Sequence, residues 1–229
     1  MKNLINFDKK SSNKFPFIFF FFCYWINSYS TIGSKIILYL SKQYNLFEIL
    51  SFILIFLSAI YIFRTINLKQ IKIFSKNNFA LIILFLFLIV WGMEEISWGQ
   101  RILDFSWNKI SIINFQNETN IHNLNIFQPH LHKSYYLLGL LISFMCILKK
   151  KSKATLLPDK SLLYFFLLPS LYYLVGEIIL NFPQEIQGET ILGWHIFYFQ
   201  EVNEFLFSLG AFLYSLRLYK TKKQILNNF

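Results

Sequence analysis

Two adjacent carboxylates, Glu94 and Glu95, close an apolar run from Phe79 to Trp91 in the stretch Trp91-Gly92-Met93-Glu94-Glu95-Ile96-Ser97-Trp98-Gly99-Gln100-Arg101. Acids in a membrane helix are rare, usually face the bundle interior and by default mark a functional site. Trp91, Glu94, Glu95, Trp98 and Arg101 recur at three- and four-residue spacing, so a helix would carry them on one face. Two carboxylates this close can share a proton. Arg101, two turns from Glu94, is the nearest cation in sequence and a candidate to hold an anionic head group, with Trp98 and Gln100 beside it.

Further acids follow the same logic. Ser170, Tyr173, Glu177 and Asn181 share one helical face, on a helix that Pro169 should bend at midspan. Trp194, Tyr198, Glu201, Phe205 and Ser208 form another stripe, with Glu204 one turn from Glu201. Between these groups, residues 115–124 read as a short helix begun by Asn117, which sets Glu118 and His122 one turn apart at a spacing that can hold a metal. Neither His-Glu-x-x-His nor Glu-x-x-His occurs, so zincin and ferritin-like di-iron chemistry find no support.

The chemistry these residues allow is acid–base or metal-assisted. Glu94, Glu95, Glu201 and Glu204 are the candidate general acids and bases, and His122 the candidate proton shuttle. A divalent metal, the one cofactor the pattern admits, would take Glu94, His122 and Glu201. Arg101, Trp98, Gln100, Asn123 and Glu177 are the candidate substrate contacts. The plainer reading is that these acids bond helix to helix, that Trp98 anchors the chain at a lipid interface and that each histidine is an interfacial polar residue.

The elements that must position these groups are membrane helices. The 229 residues are 55% hydrophobic, 20% aromatic and only 15% charged, too apolar for an ordinary soluble domain. Six apolar segments stand out, at about 15–40, 46–66, 78–100, 134–148, 161–182 and 195–219, with a long polar and aromatic connection over 101–133. The first, preceded by Lys2, Lys9, Lys10 and Lys14, also has the order of a secretory signal, but Ile36 to Leu40 extends it toward a full span. The expectation is one all-α integral membrane domain over residues 1–229. Inserting a carboxylate near midspan costs about 2.5–3.5 kcal/mol, which the apolar run before Glu94 offsets at roughly 0.3–0.6 kcal/mol per residue.

Orientation follows from the cations. Alternating connections gather 17 of the Lys and Arg residues on one side and 5 on the other. Positive residues accumulate on the cytoplasmic side, so both termini should be cytoplasmic, as in a multipass protein of a bacterial inner membrane. All four histidines and most carboxylates then fall at the outer end. The net charge of +10 is distributed in a way that suits a lipid surface and gives no sign of nucleic-acid binding. Cys23 and Cys146 both lie in apolar runs and form no disulfide framework or zinc motif. Asn117-Glu118-Thr119 fits the glycosylation pattern, a triplet common by chance in an Asn-rich chain.

Glu-Glu-Ile-Ser-Trp-Gly-Gln-Arg at 94–101 followed by Asn-Glu-Thr-Asn-Ile-His-Asn-Leu at 117–124 resembles a group of bacterial multipass membrane proteins to which no activity is attached. The Ser and Asp/His pattern of the alkaline ceramidase-like hydrolases is not present. The expected function is therefore a membrane-embedded enzyme acting at the outer face on a lipid or lipid-linked substrate. Its rivals are a proton- or cation-coupled transporter and a membrane scaffold or assembly factor.

Overall fold

The computed structural model describes residues 9–29, 46–66, 76–103, 119–121, 124, 126–127, 130–149, 156–178, 190–191 and 194–227. Among the described residues seven helices run in the order α1 (Lys9–Tyr29), α2 (Leu46–Thr65), α3 (Lys76–Glu95), α4 (Gln100–Leu103), α5 (Leu131–Leu148), α6 (Leu163–Ile178) and α7 (Ile196–Asn227). Single 3-10 turns precede α4 (Ser97–Gly99) and α6 (Lys160–Leu162). Besides helices, the described residues include one antiparallel pair of two-residue strands, β1 (Thr190–Ile191) and β2 (Trp194–His195), with Thr190 opposite His195.

The chain divides into two compact units. The first comprises Met1–Glu48, His132–Lys151 and Leu157–Gly210. In it α5 and α6 run antiparallel. Tyr135 stacks on Tyr173 with ring centroids 5.1 Å apart, and Gly139 lies against Ser170 and the Phe166 carbonyl. A Cβ at Gly139 would sit 1.9 Å from Ser170 Oγ and 2.6 Å from Phe207, so glycine is what lets α5 approach. Gly210 makes the matching approach of α7 to α6, where a Cβ would meet Phe165 and Phe166 at 2.8 Å. Small residues at helix crossings are how helices pack where lipid supplies no hydrophobic drive. Against this core α1 places Phe15 over Phe165 and Phe17 edge-on to Tyr164. Phe19, Phe47 and Phe205 close a three-ring cluster with centroids 5.4–6.1 Å apart.

The second unit comprises Ile49–Leu131, Ser152–Leu156 and Ala211–Phe229. Here α2 and α3 form an antiparallel hairpin, since Gly92 faces Ile55 and Phe52 while Phe85 meets Phe63. Its core is Ile55, Ala59, Ile62, Ile66, Leu81 and Leu88. Tyr61 meets Phe212 and Tyr219, so the second half of α7 runs parallel to α2. At the end they share, Lys222 Nζ donates to the Thr65 carbonyl at 2.5 Å and the Tyr214 hydroxyl to the Leu156 carbonyl at 2.5 Å. The lysine thus caps the electronegative C-terminal end of α2. Burial holds its ammonium below the ordinary lysine range.

The helices carry apolar residues on their outer faces as well as in the core, and several polar side chains lie inside. Ser51, Ser58, Ser143, Ser170, Asn203, Glu204, Ser208 and Ser215 are buried, while Phe21, Phe22 and Trp25 on α1, Ile49, Ile53 and Phe56 on α2, Ile83, Leu86 and Val90 on α3, and Leu137, Leu141 and Phe144 on α5 are exposed. On each helix the exposed residues recur at three- and four-residue intervals and so form an outward apolar stripe. Two described segments are long and apolar enough to cross a membrane, Leu46–Thr65 and Asn78–Glu95. The apolar parts of α1, α5 and α6 are shorter, at 10–17 residues, and at about 1.5 Å per residue fall short of a hydrocarbon core of roughly 30 Å.

Two sequence expectations are corrected here, and one helix runs past its expected span. The third helix stops at Glu95 rather than near residue 100, because the chain enters a left-handed turn in which Ser97, Trp98 and Gly99 have φ of 47°, 56° and 82°. Helix α7 continues to Asn227, past the membrane span expected over 195–219, through Lys and Gln residues that favour helix and with Lys222 bonded to α2. Residues 119–121 are not helical, so the proposed short helix over 115–124 does not form there. Residues 115–118 and 122–123 of that segment, and the expected first span beyond Tyr29, lie outside the described residues.

Candidate functional site

Polar side chains collect in two places, one in each unit. The second unit's cluster sits where α3 ends. Glu95 Oε1 accepts the Trp91 indole N–H at 2.8 Å, one turn back along the helix. Glu94 reaches the other way: Oε1 accepts the Trp98 indole N–H, and Oε2 accepts the backbone N–H of Ile121 at 2.7 Å. Thr119 completes the join. Its N–H donates to Gln100 Oε1 at 2.7 Å, and its hydroxyl lies 2.5 Å from the Ser97 carbonyl and 3.0 Å from Gln100 Oε1.

This network explains why the helix breaks as it does. A non-glycine residue in the left-handed region costs on the order of 1–2 kcal/mol, and Ser97 and Trp98 are two of them. Gly99, with φ of 82°, occupies its position without that penalty. Hydrogen bonds to an ionised acceptor contribute roughly 1.5–3 kcal/mol each, so the two on Glu94 are of the size needed to offset the strain. The left-handed turn brings Trp98 back to Glu94 and exposes the Ser97 carbonyl to Thr119. The Gly99 N–H closes the turn on the Ile96 carbonyl at 2.9 Å.

Thr119→Val keeps the shape of this buried side chain and removes its hydroxyl. The expected result is a loss of about 1–3 kcal/mol, the cost of leaving the Ser97 carbonyl short of a partner. Thermal unfolding of the purified variant in detergent measures it, and an unchanged midpoint contradicts the assignment.

The first unit's cluster lies where α6 and α7 face each other. Glu204 is buried, and its Oε1 accepts the Gln200 side-chain N–H at 2.8 Å. Glu204 and the half-buried Glu201 both lie within electrostatic range of the buried Tyr173 hydroxyl. Asn203 is fully buried on the same helix. Tyr135 comes in from α5, stacked on Tyr173 and edge-on to Phe207. One turn along α7 from Glu204, Ser208 Oγ is buried and has no hydrogen-bond partner among the described residues.

The expected site residues thus distribute as follows. Glu94, Trp98 and Gln100 meet in one network, with Glu95 bonded to Trp91 beside it. Glu201 and Glu204 belong to the other unit. Arg101 lies on the backbone of α4 and Glu177 in the last turn of α6, and their side chains, like all of His122 and Asn123, lie outside the described residues. Among the described residues no three His, Cys, Asp or Glu gather closely enough to hold a metal ion, and the expected set of Glu94, His122 and Glu201 depends on a histidine outside them. Cys23 and Cys146 are free and buried.

Sequence reading passed over Thr119, Ile121, Tyr135 and Asn203. Thr119 was visible only as part of a glycosylation triplet, whereas its hydroxyl serves an internal bond. Asn203 had a usable signal as an amide inside an apolar helix, where an uncompensated polar group is costly.

What the fold and these clusters define is a helical protein with two helices long and apolar enough to cross a membrane. No protein-family model matches the chain, and neither a curated protein nor a solved structure is significantly similar to it.

Proposed function

We propose that the chain is a six-span protein of a bacterial inner membrane, with both termini cytoplasmic, and that it acts at the non-cytoplasmic face on a lipid or lipid-linked substrate. The topology draws support from the 17 to 5 division of cations and from the ends of the second unit. Thr65, Leu156 and Lys222, all assigned to the cytoplasmic side by that division, meet at one end, and the hairpin of α2 and α3 carries Glu94 to the other. The outward apolar stripes are the surface such a protein offers to lipid.

The observation that carries the site is the buried carboxylate of Glu204, oriented by Gln200 and within electrostatic range of Tyr173 on the adjacent helix. In this reading Glu204 and Glu201 are the acid–base pair, Tyr173 and Tyr135 line the approach, and membrane lipids are the partner. In this reading Glu94 and Glu95, which accept from Trp98, Ile121 and Trp91, hold the structure.

Positioned acid–base groups contribute about 100- to 10,000-fold to a rate, so Glu204→Gln should reduce turnover of labelled lipid extract in proteoliposomes by about 100-fold or more without lowering folded yield. Wild-type turnover by this variant would remove Glu204 from the chemistry. A transporter is the second reading, favoured by the buried Glu204 and Ser208 on one side of α7. It predicts that wild-type proteoliposomes dissipate an imposed proton or cation gradient and that Glu204→Gln does not.

A further inference from the structure

We propose that the end shared by α2 and α7 binds the head group of an anionic phospholipid, held between Arg64 and Lys223 beside the tyrosine pair Tyr61 and Tyr219. The proposal rests on the membrane reading above and adds to it a lipid class and a place on the chain, away from the carboxylates assigned to chemistry.

Charge here is of one sign. Residues 49–76, 152–156 and 211–229, the parts of the second unit assigned to α2, α7 and the cytoplasmic side, contain nine Lys and Arg and no Asp or Glu. Cations gathered just cytoplasmic of a membrane helix attract anionic lipid, and basic pockets between such helices hold its head groups.

The packing of the two helices decides which cations can share one phosphate. The Tyr61 ring meets those of Phe212 and Tyr219, with centroids 6.0 and 5.5 Å away. All three are half-buried, whereas Ile62, Thr65 and Ser215 beside them are buried, so the rings mark the outer edge of the seam between α2 and α7. Arg64 follows Tyr61 by three residues and Lys223 follows Tyr219 by four, which sets each cation about one turn beyond the pair and on the same side of its helix as the ring. Both are exposed. Lys222, by contrast, is committed to the Thr65 carbonyl, and its ammonium offsets the electronegative end of α2 that would otherwise repel a phosphate.

The apolar part of the ligand has a place as well. Ile53, Phe56 and Phe63 are exposed on α2 and lead along its outward side toward Arg64. Tyrosines concentrate at the boundary between hydrocarbon and head groups, with the ring on the apolar side and the hydroxyl on the wet one. A phosphate between Arg64 and Lys223 therefore stands at the level of the tyrosine hydroxyls, with its acyl chains against that stripe. The guanidinium fork of Arg64 suits phosphate oxygens.

The test is photolabelling of the full chain in vesicles containing a trace of phosphatidylglycerol or of phosphatidylcholine, each with a diazirine in the upper or the middle part of one acyl chain. Labelled peptides are mapped by mass spectrometry. The expected result is upper-chain labelling around Tyr61 and Tyr219 that favours phosphatidylglycerol, a preference reduced about fivefold for each cation removed in Arg64→Gln with Lys223→Gln. The charge-retaining pair Arg64→Lys with Lys223→Arg should keep the preference, as should Lys14→Gln with Lys160→Gln, two exposed cations of the first unit. Mid-chain labelling of Ile53 and Phe56 by both lipids reports insertion in every variant. Equal upper-chain labelling by the two lipids, or a preference that survives loss of Arg64 and Lys223, or one lost equally with Lys14 and Lys160, overturns the proposal and leaves the membrane reading standing. Labelling at Ile53 and Phe56 with none at the tyrosine pair overturns it in favour of an acidic protein partner. No labelling at Ile53 and Phe56 in the unsubstituted protein overturns the membrane reading itself.

Discussion

Replacing Gly139 with leucine abolishes the folded form of the first unit. The close approach at this point involves Ser170 Oγ, the Phe207 ring and the Phe166 carbonyl, all within 2.9 Å of where a Cβ would be. The serine cannot easily step aside, because its hydroxyl donates to the Phe166 carbonyl at 2.6 Å inside α6. Nor can the Phe207 ring, which is packed between Tyr135 and Phe166. Overpacking a well-filled core costs about 1–3 kcal/mol when neighbours can shift; here three contacts on two helices must give at once, and α5 must move off α6 and α7. The expected outcome is aggregated or degraded protein, read as loss of the monodisperse peak after detergent extraction. Gly139→Ala, which adds only the Cβ, should express at reduced yield with a lowered unfolding midpoint. If Gly139→Leu behaves as wild type, the α5–α6–α7 packing described above is wrong.

The second large effect belongs to Glu94. Glu94→Ala removes the acceptor for both the Trp98 indole and the Ile121 N–H, and leaves Ser97 and Trp98 in left-handed conformations with less to hold them there. With bonds to an ionised acceptor contributing roughly 1.5–3 kcal/mol each, the expected loss is about 3–5 kcal/mol, concentrated in the turn and the segment it retains. Hydrogen exchange localises it: the amides of Gly99, Thr119 and Ile121 should lose protection while those in the middle of α2 and α3 keep theirs. Glu94→Gln retains one acceptor oxygen, so it should recover part of that protection. A catalytic role for Glu94 predicts a different pattern, in which the glutamine variant is inactive with native exchange throughout. Unchanged exchange in Glu94→Ala would show that the carboxylate does not hold Ile121.

Much of the helical architecture was legible because lipid-like packing writes itself plainly in composition. The runs that became α2 and α3 are apolar almost throughout, and both ends of α2 and the start of α3 were placed within a few residues. The end of α3 was not legible, since periodicity carries Trp91, Glu94, Trp98 and Arg101 smoothly through a point where the backbone reverses hand. No local propensity forces Ser97 and Trp98 to positive φ; the reason lies 20 residues further on, in Thr119 and Ile121. The acids were rightly singled out as groups that need partners. The partners of Glu94 and Glu95 include two indoles and a backbone amide, which sequence spacing does not rank above histidine or arginine. On α7 the pattern identified Glu201 and Glu204, but Tyr135 could be added only once α5 had been seen against α6.

The way Ser97 is used also bears on the order of assembly. Its carbonyl accepts from the Gln100 N–H and from Thr119, so the docking surface for the later segment does not exist until the chain has been synthesised past Gln100. The hairpin of α2 and α3 can pair without the residues that follow Gln100, whereas the stretch carrying Thr119 and Ile121 needs Glu94, Ser97 and Gln100 already in place. Assembly at this end of the second unit then has two stages, pairing followed by latching, and a chain halted between them would leave Glu94 without the Ile121 amide.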